Sequence, residues 1–119
     1  MRLRAARGAI RVPSDDVDVL LGSTERLLSA VLERNGIGHD DLVSIMFTAT
    51  EDLRSVFPAE AARRMGLGRV PLLCAQELAI EGSMPSVVRI LLHFHSERTL
   101  DEVVHVYLDG AESLRDDVG

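Results

Sequence analysis

The stretch "SVVRILLHFHSE", Ser86 to Glu97, has the two-residue rhythm of a strand and an arginine in its middle. Successive strand side chains point to opposite faces, so Ile90, Leu92 and Phe94 share one side while Arg89, Leu91, His93 and His95 share the other. The first side is wholly apolar and needs a cover. The second is too apolar for open water yet carries a guanidinium and two imidazoles, as expected where one subunit's sheet meets another's. Burying Arg89 there without an anion costs roughly several kcal/mol, so it needs a carboxylate from the protein or from a ligand.

The cover is legible upstream. Val17, Leu20, Leu21, Thr24, Leu27, Leu28, Val31 and Leu32 recur at steps of three and four, which predicts one long amphipathic helix. Ser14, followed by Asp15 and Asp16, supplies a start signal, and Asn35-Gly36 supplies a left-handed stop. Before it, "RLRAARGAIRV" reads as a first strand from Arg2 to Val12, ended by Pro13. After it, "DLVSIMFTAT" reads as a buried strand, and "VFPAEAARRMGLG" as a short helix with Pro58 in its first turn and Gly66 past its end. "RVPLLCAQEL", the quoted stretch and "EVVHVYLDG" then give three more strands. In the last of these Val104, Val106 and Leu108 oppose Val103, His105 and Tyr107. The order strand, helix, strand, helix and three strands, with no repeat or linker, predicts a single α/β (α+β) domain over residues 1–119.

Composition narrows the chemistry. A net charge of -6 argues against a nucleic-acid surface, and no apolar run approaches the ~20 residues of a membrane span. With no hydrophobic leader either, the expectation is a cytoplasmic protein. All thirteen basic residues are arginine, so Schiff-base chemistry, a pyridoxal phosphate anchor and a Walker A lysine have no residue to use. Arginine forks suit bidentate carboxylates, and several in one cleft would suit a dicarboxylate. The sequence contains no GxSxG, GxGxxG, HExxH or GxxxxGK[ST].

Individual residues keep two readings each. Cys74, the only cysteine, is a nucleophile or a small pocket-lining side chain, and no cysteine-protease signature surrounds it. Glu77 sits in a segment expected to be largely buried, and is either a functional acceptor or the partner of an arginine such as Arg89. His93 and His95 have the spacing of a metal-chelating pair but no third ligand pattern, and otherwise serve as interface histidines. Tyr107 is a packed ring or a hydroxyl donor. Phe57 before Pro58 suits a helix-start staple. Arg7, in "AARGA", has small neighbours that leave room for a ligand or for tight sheet packing.

Taken jointly, "RGA" at Arg7, "TATEDL" followed by "VFPAEAAR", "VPLLCAQEL", Arg89 with its strand, and "HVYLDGAESLR" resemble the small monofunctional chorismate mutases that assemble as trimers. Order and spacing agree along nearly the whole chain. The resemblance implies a mixed sheet packed on the long helix plus a short one, a homotrimer forming a pseudo-α/β-barrel, and active sites between subunits. It implies the rearrangement of chorismate to prephenate for phenylalanine and tyrosine synthesis, with no cofactor, no metal and no covalent intermediate. By the same resemblance Arg7 holds a substrate carboxylate beside Tyr107, Arg89 donates to the ether oxygen, and Glu77 accepts from the ring hydroxyl with Cys74 next to it. Arg63 reaches in as a further cation, Phe57, Leu72, Leu73 and Leu114 line the cleft, and Arg115 belongs to a mobile C-terminal tail. The segment Phe57 to Arg63 would come from the neighbouring subunit. Glu60 departs from the basic residue often found at the cleft rim, and little chain follows Arg115. The alternative is a trimeric module that binds a small carboxylate without chemistry.

Overall fold

A computed structural model describes residues 1–118. Strand β1 (Arg2–Arg11) leads into helix α1 (Val17–Arg34), strand β2 (Leu42–Ala49), helix α2 (Ala59–Arg64) and strands β3 (Leu72–Gln76), β4 (Val87–Ser96) and β5 (Val106–Leu108). The five strands form one mixed sheet in the order β3-β2-β4-β1-β5. Strand β4 runs antiparallel to both β1 and β2, while β5 and β3 join those two in parallel.

The alternation in β4 is realised. Ile90, Leu92 and Phe94 are buried with Leu27, Leu28 and Val31 of α1 in one apolar cluster that also holds Ala6, Ile10, Ile45, Phe47 and Val106. Gly8 allows the helix to approach β1 closely: a Cβ there would lie 3.1 Å from both Ile90 Cγ1 and Leu27 Cδ1 and 3.2 Å from Val31 Cγ2. The register aligns Arg89 with Ala9 and Thr48, Leu91 with Arg7 and Met46, and His93 with Ala5 and Ser44, which assigns these side chains to the other face. Among the described residues α1 and α2 pack on the apolar side, and no α-helix covers most of that other face. At one end the chain folds back into the 3-10 segment Glu112–Val118, and Leu114, with Ala111 just before the segment, packs against Ala9, Val87 and Tyr107 in a small second cluster.

Four expectations are corrected. Helix α1 is capped by Asp16 and not by Ser14: the Asp16 carboxylate accepts from the Asp18 and Val19 amides, while Asp15 is drawn away to accept from Ser55 N–H at 2.9 Å. The last strand is only Val106–Leu108. Leu100–Glu102 ahead of it forms a 3-10 turn with a Thr99–Glu102 capping box, and both backbone polar groups of Val104 bond to the Asn35 side chain, at 2.7 and 2.9 Å. Strand β3 is an edge strand and not largely buried, with Leu73, Ala75, Gln76 and Leu78 exposed. Phe57, read as a staple, projects outward with 73% of its surface accessible.

Candidate active site

Strands β1, β2, β4 and β5, with the residue just past β3, line a single pocket of roughly 240 Å³ on the face opposite α1. Arg7 comes from β1, Arg89 from β4, Tyr107 from β5, and Glu77 from the residue just past β3; Thr48, Met46 and Leu91 complete most of the wall. Glu77 is held in place by its own amide, which donates to Ala49 carbonyl at 2.9 Å, and by the Thr48 hydroxyl, which donates to its carboxylate. Thr48 is a residue the sequence reading passed over, although "TAT" at the end of an apolar strand is a visible polar signal.

Arg89 and Glu77 face one another. The guanidinium Nε lies 3.5 Å from Glu77 Oε1, near enough for charge attraction. The alignment is too poor for a hydrogen bond, and Arg89 Nε is a buried donor with no acceptor among the described residues. An orphaned buried donor is costly, by roughly 1–3 kcal/mol and more when charged, so a ligand that supplied an acceptor at this point would gain from it. The bland ion pair and the ligand-facing arginine are therefore the same group: the carboxylate holds the cation but leaves its inner N–H available.

Tyr107 is buried, with its ring against Ala9, Val87 and Leu114. The Arg115 guanidinium sits 5.5 Å from the ring centroid, within cation–π range, so Arg115 lies beside the pocket. Leu114 is fixed beneath it in the small cluster and does not line the cavity. Arg7 donates its backbone N–H to His105 Nδ1 at 3.0 Å. His105 is half-buried, and burial first, then the nearby charges of Arg7 and Arg115, hold its pKa below the usual imidazole value. His93 Nδ1 meets Ser44 Oγ at 3.1 Å and His95 is exposed, both on the same face.

The remaining sequence-derived site residues are elsewhere in the chain. The β2–β3 register pairs Cys74 with Phe47, and Cys74 packs against the main core on the helix side, whereas Glu77 reaches the other face. Cys74 lines a second, larger pocket of roughly 670 Å³ together with Phe57, Pro58, Leu53 and Arg54. Leu72 packs on the core and Leu73 is exposed. Arg63 is exposed and paired to Glu60 at 3.0 Å, away from the Arg7–Arg89 pocket. Within this chain the Phe57–Arg63 segment and the four-strand pocket are thus separate.

Chemically, the smaller pocket offers two guanidiniums, a phenol, a carboxylate able to accept from a hydroxyl, and no lysine, thiol or activated serine. That set can grip a small acid and steady developing negative charge. A model of the chorismate mutase type I family matches residues 3–118. A chorismate mutase from Thermus thermophilus is 46% identical over 117 residues, covering 98% of this chain and 96% of that protein. One from Bacillus subtilis is 34% identical over 119 residues, covering 99% of this chain and 94% of its own. The solved structure of a chorismate mutase from Clostridium thermocellum superposes with a TM-score of 0.91 at 38% identity, over 92% of this chain and 98% of that one. The chain belongs to the type I chorismate mutase family.

Proposed function

We propose that this chain, acting as a single domain, converts chorismate to prephenate by a [3,3] rearrangement in which the ether C–O bond breaks as a C–C bond forms. The observation that carries the reading is the buried Nε of Arg89, which has no acceptor among the described residues, in a pocket shared with Arg7, Glu77 and Tyr107. Negative charge gathers on the ether oxygen as its bond to carbon stretches. A permanently charged donor facing that oxygen binds the transition state better than the ground state, which is what raises kcat. Each ~1.4 kcal/mol of such preference is tenfold in rate.

The other side chains order the substrate. Arg7 grips a carboxylate with the Tyr107 hydroxyl beside it, and Glu77, oriented by Thr48, accepts from the ring hydroxyl. Together they hold a flexible enolpyruvyl ether in its chair-like reactive form, converting entropy lost on binding into rate. Electron pairs move only within the substrate, so Cys74 has no bond to make.

The assembly we propose is a cytoplasmic homotrimer whose open sheet faces pack together and whose clefts lie between subunits. Exposed Met46, Leu73, Phe57, Leu78 and Ile80 support it, since apolar surface of this extent favours a partner. The separation of Phe57 and Arg63 from the four-strand pocket within one chain supports their arrival from a neighbour, with Cys74 and Leu72 along the same edge and Arg115 closing the other side. Purified protein mixed with chorismate and no additive tests the reaction: the chorismate absorbance decays. A flat trace identifies a carboxylate-binding module instead, and a monomer in sedimentation at micromolar concentration removes the trimer.

A further inference from the structure

His105 lies two residues before Tyr107, and its ring takes the place of a strand. The parallel ladder of β1 with β5 begins at Gly8 and Val106, so the N–H of Arg7 comes one residue before the first paired position. That N–H is met by His105 Nδ1 at 3.0 Å, where a ladder carbonyl would otherwise be needed. The backbone entering His105 is itself fixed, because Asn35 accepts from Val104 N–H and donates to Val104 carbonyl while also donating to Val31 carbonyl at the end of α1. A ring nitrogen accepts only when it lacks a proton, so this contact requires neutral His105 carrying its hydrogen on Nε2. The charged groups that bear on the ring are Arg7 from β1 and Arg115 from the C-terminal segment, both cations, and together with burial they favour that neutral form.

We propose that His105 is a positioning residue for the reaction: its neutral ring, by holding the Arg7 amide, fixes the strand segment from which the Arg7 guanidinium reaches the substrate carboxylate, and protonating the ring releases that segment. The proposal rests on the reading of Arg7 as the carboxylate-gripping group. Since Arg7 holds ground state and transition state alike, the loss falls more on KM than on kcat.

The test measures kcat and KM for chorismate from about pH 4.5 to about pH 8 in the wild type, His105→Asn and His105→Ala, beside the imidazole 15N spectrum of the wild type. Asparagine offers an acceptor oxygen near the Nδ1 position and does not titrate. The wild type shows an acid limb in kcat/KM that coincides with titration of the His105 ring. His105→Asn stays within about threefold of the wild type at neutral pH and lacks that limb, whereas His105→Ala loses about tenfold or more at every pH, mainly through KM. An unchanged limb in His105→Asn, or wild-type behaviour of His105→Ala, overturns the proposal. Should neither variant fold, the wild-type spectrum decides, and a proton on Nδ1 at neutral pH is the contradicting result. If the wild type leaves chorismate untouched, the reaction reading fails on its own, and the ring tautomer with the hydrogen-exchange protection of the Arg7 amide still decides whether the contact exists.

Discussion

The two faces of the sheet are built from the same strands and follow opposite rules. On the helix side the central strands are packed out: Ile90, Leu92, Phe94, Phe47 and Ile10 share one apolar cluster with α1 and leave almost no surface to water. On the other side Arg7, Arg89 and Glu77 stand half-covered around a pocket, one buried N–H has no acceptor among the described residues, and apolar Met46 and Leu73 are accessible. One face is complete within the protomer and makes the fold. The other is complete only with a ligand and, in our reading, with neighbouring subunits. Strand alternation allows this division, because a residue can be spent on function without touching the core one position away.

Changes on the two faces should therefore separate activity from stability. The largest effect is expected for Arg89→Ala, with kcat down on the order of a thousandfold or more in a chorismate decay assay and near-normal urea unfolding. A variant that keeps its kcat would falsify the electrostatic role given to Arg89. Phe94→Ala, from the opposite face of the same strand, should cost about 3–5 kcal/mol in urea unfolding through cavity formation, while the fraction still folded turns over normally. Asn35→Ala should cost about 2 kcal/mol, because it strands the Val104 backbone groups. Gly8→Ala should cost about 1 kcal/mol, as three buried side chains crowd the added carbon with little room to give.

The smallest effect is expected at the rim. Arg26 and Asp109 form a bidentate pair at 2.6 and 3.2 Å, but both are more than a third exposed, so after discounting for solvent Arg26→Ala should cost no more than about 0.5 kcal/mol. The hydrogen bond and charge of Arg26 lower the Asp109 pKa. The pair's contribution is thus present above the ordinary carboxylate range and is lost as pH falls through the lowered value. Melting curves at neutral and acid pH for wild type and Arg26→Ala should converge in acid.

The same contrast explains what was legible in the sequence. Periodicity revealed both faces of β4 and the buried stripe of α1, since burial within one protomer leaves a regular mark. The helix start was ambiguous because Ser14, Asp15 and Asp16 can all cap, and the choice depends on Ser55, forty residues from Asp15, taking Asp15 out of contention. The shortened β5 had a local signal that went unread, the capping box from Thr99 to Glu102. Glu77, Arg89, Arg7 and Tyr107 line one pocket, though they stand seventy to a hundred positions apart along the chain in some pairs and no periodicity joins them. Thr48 and His105 escaped because each acts through one hydrogen bond to a distant residue, and no spacing rule links position 48 to 77 or 105 to 7.

The central claim is that the unpartnered N–H of Arg89 is kept for the breaking ether bond. A structure with a bicyclic diacid mimic of the transition state tests it most directly. The account predicts Arg89 Nε within about 2.9 Å of the bridging oxygen and the carboxylates against arginine. A bridging oxygen facing other groups, with Arg89 still turned to Glu77 alone, would contradict it.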